Sequence, residues 1–152
     1  MHAYLKQRSD YCFDVEIRGH RFTIDNAAPF GTDAGPTPKE LLCASIGGCA
    51  AMDVHAYLHK YKISIRSLSV RVDAESVQTH PKIFQQIRAV FSIEGDSLPI
   101  EKCAEAVRQS MTRYCGVSAM VFQASPIRWV LEVNGAEQAS EMAAFTLPEK
   151  SS

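Results

Sequence analysis

The sequence predicts an α+β fold with antiparallel strands, and three features of its patterning carry that prediction. A long apolar helix occupies the middle of the chain at 37–60, stretches on both sides of it alternate with the two-residue period of strands, and an amphipathic helix follows at about 97–115. The 152 residues suffice for one domain with a substantial core. That domain is expected over 1–133, with 134–152 as a loosely held tail.

Residues 2–8 and 11–25 alternate loosely and carry turn signals at Ser9-Asp10 and Arg18-Gly19-His20, so they read as two or three short strands in a meander. Tyr11, Phe13, Val15 and Ile17 are expected to share one face of the middle strand. Residues 26–38 are rich in Gly, Pro, Ala and Asp without periodicity, a loop long enough to bind a ligand or touch a second subunit.

The helix that follows opens on a strong start signal. Thr37 can cap, Pro38 takes the first helical position where no N–H is required, and Glu40 completes a capping box. From Leu41 to Met52 every residue but Ser45 is apolar or small, which leaves no wet face and predicts a long buried central helix. Glycine inside a helix costs roughly 1 kcal/mol relative to alanine. The pair Gly47-Gly48 therefore marks a place where another backbone or a ligand comes close, and Cys49 is displayed there. The helix dipole fades within its first turn, so Cys49 lies too far in to be activated by it.

Residues 63–77 alternate at Leu68, Val70 and Val72; Thr79-His80-Pro81 turns the chain; and 83–94 returns with Ile87, Ala89, Phe91 and Ile93 on one face, giving a hairpin. The second helix is expected to start with Ser97 or Asp96 as cap, with Pro99 and Glu101 in its first turn. Ile100, Ala104, Val107, Met111 and Tyr114 or Cys115 recur at helical spacing. Gly116 reads as the helix end, which places Cys115 at the C-terminal turn. A short helical turn at 117–122 and a last strand at 127–133 complete the order.

Composition narrows the function classes. A net charge of −1 with 22% charged residues offers no basic surface for nucleic acid and no acidic tract. The apolar run of about a dozen residues is shorter than the roughly 18 of a membrane span, and the N-terminus has no signal-peptide core. A cytoplasmic protein without a membrane partner is expected. The five cysteines are an odd set with no C-x-x-C pair, against both a secreted disulfide framework and a four-cysteine zinc site.

Two of them stand out by context, Cys49 and Cys115, separated by 66 residues. A free cysteine is most often a small core hydrophobe, and spacing alone leaves that reading open beside a chemical one. Cys12, Cys43 and Cys103 read as packing residues. Asp53 lies one turn after Cys49, where a carboxylate would raise the thiol pKa; a structural hydrogen bond or ion pair is its expected role. His55 and His59 have metal-ligand spacing but neither the intervening glutamate nor a third ligand, so no metal site is expected. A meander and a hairpin cannot cover a helix that is apolar all round, which implies a second subunit.

Pro36-Thr-Pro-Lys-Glu-Leu-Leu42, Gly47-Gly-Cys-Ala-Ala-Met-Asp-Val54 and Arg113-Tyr-Cys-Gly-Val-Ser-Ala-Met-Val121 together resemble the OsmC/Ohr family of osmotically inducible and organic-hydroperoxide-resistance proteins. The similarity spans about 20–133. It implies an OsmC-like fold in an intertwined homodimer, with a thiol-dependent peroxidase at the subunit interface and no cofactor. By resemblance, Cys49 matches the peroxidatic cysteine and Cys115 the resolving one. The first would become a sulfenic acid, the second would condense with it to a disulfide, and a dithiol such as a lipoyl group would restore both.

In the organic-hydroperoxide branch an N-terminal arginine and a glutamate right after the helix-opening proline activate the thiol. Here Lys39 stands at the glutamate position with the carboxylate displaced to Glu40, Arg8 is the nearest arginine candidate, and Gly116 replaces a proline common after the second cysteine. These departures place the chain in an OsmC-like branch. A peroxidase preferring organic hydroperoxides to hydrogen peroxide is the first expectation. The alternative is a non-catalytic OsmC-fold module that binds an apolar small molecule or senses redox state.

Overall fold

A computed structural model of the chain describes residues 1–148, and it divides into two units, Met1–Leu42 and the part that begins at Cys43. The boundary lies inside the central helix.

The first unit holds β1 (Tyr4–Ser9), β2 (Cys12–Ile17) and β3 (His20–Ile24), an antiparallel meander in the order β1-β2-β3. Arg18 and Gly19 both take positive φ, the pattern of a two-residue hairpin turn. The expected face of β2 is only half realised. Val15 is buried, but Tyr11 lies in the turn before β2 and is exposed, Ile17 is exposed at the strand's far end, and Cys12 is buried at its start. The loop after β3 is pinned by the buried carboxylate of Asp25. It accepts from the backbone N–H of Asn26, Thr32 and Ala34 and from the Thr32 hydroxyl at 2.7 Å. These donors, the Thr32 hydroxyl foremost, lower the Asp25 pKa to about 2.

Helix α1 (Pro38–Lys60) begins as the sequence predicts. The Glu40 carboxylate accepts from the Thr37 backbone N–H at 2.7 Å, and Glu40 N–H donates back to the Thr37 hydroxyl at 3.4 Å.

In the second unit α1 is followed by β4 (Ser67–Ser76), β5 (Phe84–Glu94), α2 (Ile100–Gln109), a π turn (Ser110–Tyr114), α3 (Gly116–Val121), β6 (Ile127–Val133) and β7 (Ala136–Met142). They form a sheet in the order β4-β5-β6-β7. It is not wholly antiparallel, as the sequence suggested, because β5 and β6 pair in parallel from Ile87↔Ile127 to Ile93↔Val133. The helical segment between them is the crossover that parallel pairing requires. Central β5 and β6 carry the core, with Phe91, Ile93, Trp129 and Leu131 fully buried.

Four further expectations are corrected. The tail expected from 134 on begins instead with an edge strand, since Ala136–Met142 pairs antiparallel with β6 and Arg108 of α2 forms an ion pair with Glu141; residues 149–152 lie outside the described residues. The cap of α2 is Pro99, whose carbonyl accepts from Lys102 and Cys103, rather than Ser97 or Asp96. The helix expected to end at Gly116 ends at Tyr114, and Gly116 opens α3. Finally, α1 is not buried all round. One stripe is buried, Ile46, Gly47, Ala50, Val54 and Leu58, while Met52 is 75% exposed. By length and composition α1 does reach the criterion for a membrane span, which the shorter apolar run in the sequence did not suggest. Its stripe packs on the sheet instead. A Cβ on Gly47 would sit 3.1 Å from a Val72 methyl of β4, so the close approach expected of this glycine is to side chains, and Gly48 faces open space.

Candidate active site

Cys49 and Asp53 are four residues apart on α1 and so share a face. Cys115 arrives from the far end of the helical crossover. The π turn closes with Cys115 N–H donating to the Ser110 carbonyl at 3.0 Å, after which the backbone turns extended at Cys115 and α3 begins. Cys115 thereby caps α3. Its sulfur accepts from the Ser118 backbone N–H at 3.4 Å, and its thiol donates to the Ser118 hydroxyl at 3.0 Å.

A second tie fixes the crossover to α1. The Ser110 hydroxyl lies 3.2 Å from a carboxylate oxygen of Asp53 and 3.5 Å from the Ala50 carbonyl. The outcome is a cluster in which the sulfurs of Cys49 and Cys115 and an oxygen of Asp53 all lie within 4.8 Å of one another. Cys49 is half-buried and Cys115 fully buried, and both are free thiols. A disulfide needs the sulfurs at about 2.05 Å, so closing the gap takes a movement of roughly 3 Å or less, within reach of side-chain rotation.

Electrostatics separates the two thiols. Burial pushes Cys115 up to about 11; hydrogen bonding with Ser118 opposes this, and the neighbouring Cys49 thiol adds to it. Burial also raises the Asp53 carboxyl, against the pull of the Ser110 hydroxyl. Cys115 therefore stays protonated at neutral pH, and Cys49, with its partial access to solvent, is the thiol placed to meet a substrate first.

A cleft of about 370 Å³ adjoins Asp53 and Ser110, with Tyr57, Lys60, Glu105 and Arg113 among its other walls. Its walls are mixed, with polar side chains from α1 and from the α2 and π-turn segment. The Tyr57 hydroxyl is buried in this region, and burial, with Glu105 nearby, lifts its pKa to about 12.

Of the four residues singled out from the sequence, the structure brings Cys49 and Cys115 together. Arg8 and Glu40 belong to the first unit, where Arg8 forms an ion pair with Asp14 and Glu40 serves the capping box. Cys12 and Cys103 are buried as packing residues, and Cys43 is half-buried. Asp53 was expected to take a structural hydrogen bond, and does so with Ser110. Ser110 and Ser118 were not anticipated. Ser118, three residues after Cys115, carries the spacing of a helix cap and could have been found by it. Ser110 meets Asp53 only through tertiary packing and leaves no mark in the sequence.

This combination defines a small α+β protein with two sheets, a long core helix and a paired-thiol centre. The chain belongs to the OsmC-like family: the family model of OsmC-like proteins matches residues 31–130. Protein YhfA of Escherichia coli K12 is 30% identical over 115 residues, which cover 76% of this chain and 84% of that protein. Among solved structures, a hypothetical protein from Aquifex aeolicus VF5 superposes with a TM-score of 0.78 at 26% identity, covering 88% of this chain and 95% of the other. The organic hydroperoxide resistance protein OsmC from Legionella pneumophila shares the fold, with a TM-score of 0.65 at 17% identity over 87% of this chain and 96% of its own.

Proposed function

We propose that this protein is a cysteine-based peroxidase of the cytoplasm that reduces organic hydroperoxides, and hydrogen peroxide less well, in defence against oxidative stress. Membership of the OsmC-like family supports a redox role, and the likeness to organic hydroperoxide resistance proteins supports this substrate class. The observation that carries the reading is the approach of a half-buried and a fully buried thiol to within 4.8 Å.

In this reading the Cys49 thiolate attacks the outer peroxide oxygen. The O–O bond breaks, the alkoxide leaves and takes a proton as the alcohol, and Cys49 becomes a sulfenic acid. Cys115 then attacks the sulfenic sulfur, its own proton leaves with the hydroxyl as water, and the disulfide forms. An external dithiol such as a lipoyl group exchanges with that disulfide and regenerates both thiols. The cleft of about 370 Å³ that starts at Asp53, one turn along α1 from Cys49, offers space for an organic substituent.

The apolar and small residues that α1 leaves exposed, Ala44, Gly48 and Met52, support a homodimer in which a second copy covers them. A second reading has its own observation in favour. A carboxyl, that of Asp53, stands beside the thiols where activation calls for a cation, which suits a redox-sensing or small-molecule-binding module that turns nothing over.

Hydroperoxide consumption with dihydrolipoate as reductant separates the two. Wild type should turn over, Cys49→Ser should be inactive, and Cys115→Ser should stop after one equivalent with a trappable sulfenic acid. Full turnover by Cys49→Ser would end the peroxidase reading.

A further inference from the structure

We propose that the reduced site also binds a thiophilic divalent cation, zinc in the first place, through Cys49 Sγ, Cys115 Sγ and an Asp53 carboxylate oxygen, and that metal and disulfide exclude each other. Three potential ligand atoms within 4.8 Å of one another approach what a tetrahedral zinc site asks for. With Zn–S about 2.3 Å and Zn–O about 2.0–2.2 Å, its ligand atoms lie about 3.5–4 Å apart.

The supports around these atoms are those of a built site. Cys49 and Asp53 share a helix face at i, i+4, a spacing that lets two side chains converge on one ion. The Ser110 hydroxyl holds the carboxylate at 3.2 Å, and the Ser118 N–H points at the Cys115 sulfur at 3.4 Å, an outer shell that orients ligands before a metal arrives. A half-buried carboxylate whose hydrogen-bond donor is a neutral hydroxyl is also an electrostatic vacancy for a cation. Because Cys49 and Asp53 are only half-buried, the fourth position opens to water and gives the ion its route in.

The chemistry balances. Binding displaces one proton from each thiol. A hydroperoxide then takes two electrons from the bound thiolates and, with two protons, yields the disulfide, the alcohol and water, and the cation is released. The occupied site ties up both sulfurs as ligands, so zinc is expected to slow their oxidation without preventing it, and to slow turnover.

The test uses the reduced full chain stripped with a chelator, titrated with Zn²⁺ against a chromophoric competitor, with Co²⁺ substitution to report thiolate ligation by its charge-transfer band. One ion per chain is expected, with two of the five thiols lost to a disulfide-exchange reagent. Cys49→Ser, Cys115→Ser and Asp53→Asn should each weaken binding at least tenfold, His55→Ala/His59→Ala should not, and one equivalent of hydroperoxide should release the ion. Unchanged affinity in any of the three ligand variants, with melting curves showing that it is folded, overturns the assignment; so does failure of the wild type to bind at micromolar zinc. Metal binding is read without peroxide turnover. A chain that binds zinc but consumes no hydroperoxide therefore sinks the peroxidase reading alone, and the converse result sinks this one.

Discussion

Oxidation by one equivalent of hydroperoxide should stabilise the fold, and the size of the effect follows from where the two cysteines lie in the chain. A bond between Cys49 and Cys115 closes a loop of about 66 residues, for which the chain-entropy relation gives about 4 kcal/mol at 25 °C. The sulfurs start as much as 4.8 Å apart, so some of that gain goes into moving the two side chains, and a net of about 2–4 kcal/mol is expected. At a urea slope of about 2 kcal/mol/M this moves the unfolding midpoint by about 1–2 M. The assay is urea unfolding followed by circular dichroism, on reduced and oxidised protein in chelator-treated buffer, with mass spectrometry to confirm the loss of two hydrogens and to map the bond. Cys115→Ser should show no gain, whereas Cys43→Ser should keep it. An unchanged midpoint with the bond correctly mapped, or a bond that maps to another pair, would refute the reasoning.

The Cys115 thiol has a folded pKa of about 11 against an ordinary 9.0, so its burial stabilises the fold in full below pH 9, and the contribution is lost as pH climbs through 11. Two pKa units correspond to at most about 3 kcal/mol, and Cys115→Ala should flatten the alkaline slope of stability by that amount; an unaltered slope counts against it. Asp53→Asn removes a carboxylate within 4.8 Å of the Cys49 sulfur, and even with water-like screening that interaction is about 1 kcal/mol. Iodoacetamide should then alkylate Cys49 faster, and a rate equal to or below wild type would contradict this. Met52→Glu places a charge on a side chain that is 75% exposed within one chain, so the helical signal should persist while the proposed dimer dissociates in sedimentation. A dimer that survives the change locates the interface elsewhere.

What the sequence disclosed is what short-range chemistry determines. Thr37, Pro38 and Glu40 announce the start of α1, and the alternation at Leu68, Val70 and Val72 announces a half-buried strand; both are carried by residues within one turn or one strand of each other. Strand β7 escaped because Ala-Glu-Gln-Ala-Ser-Glu-Met has neither β-branched residues nor an apolar period. An edge strand held by backbone pairing to β6 and by the Arg108–Glu141 ion pair needs neither. The parallel pairing of β5 with β6 escaped for a related reason, since direction is set by the crossover and not by the strands. At the site, residue identity together with family resemblance pointed to Cys49 and Cys115. Their environment was out of reach, because Ser110 meets Asp53 across 57 residues of sequence. The all-round burial expected of α1 failed because composition alone does not say which of its positions the sheet covers.

Asp53 then becomes the residue that separates the two chemistries of this site. A carboxylate beside the thiols sets negative charge next to the sulfur that must attack a peroxide. The same negative charge favours a dication that has to collect both thiolates. Replacing it by asparagine keeps the shape, and the amide can still pair with the Ser110 hydroxyl. The two activities should therefore move in opposite directions, with faster reaction of Cys49 toward electrophiles and weaker retention of zinc. A substitution that merely loosened the local structure would weaken zinc binding while letting Cys115, fully buried at present, react as well. Alkylation mapped by mass spectrometry tells these apart, for only the electrostatic account leaves Cys115 protected while Cys49 accelerates.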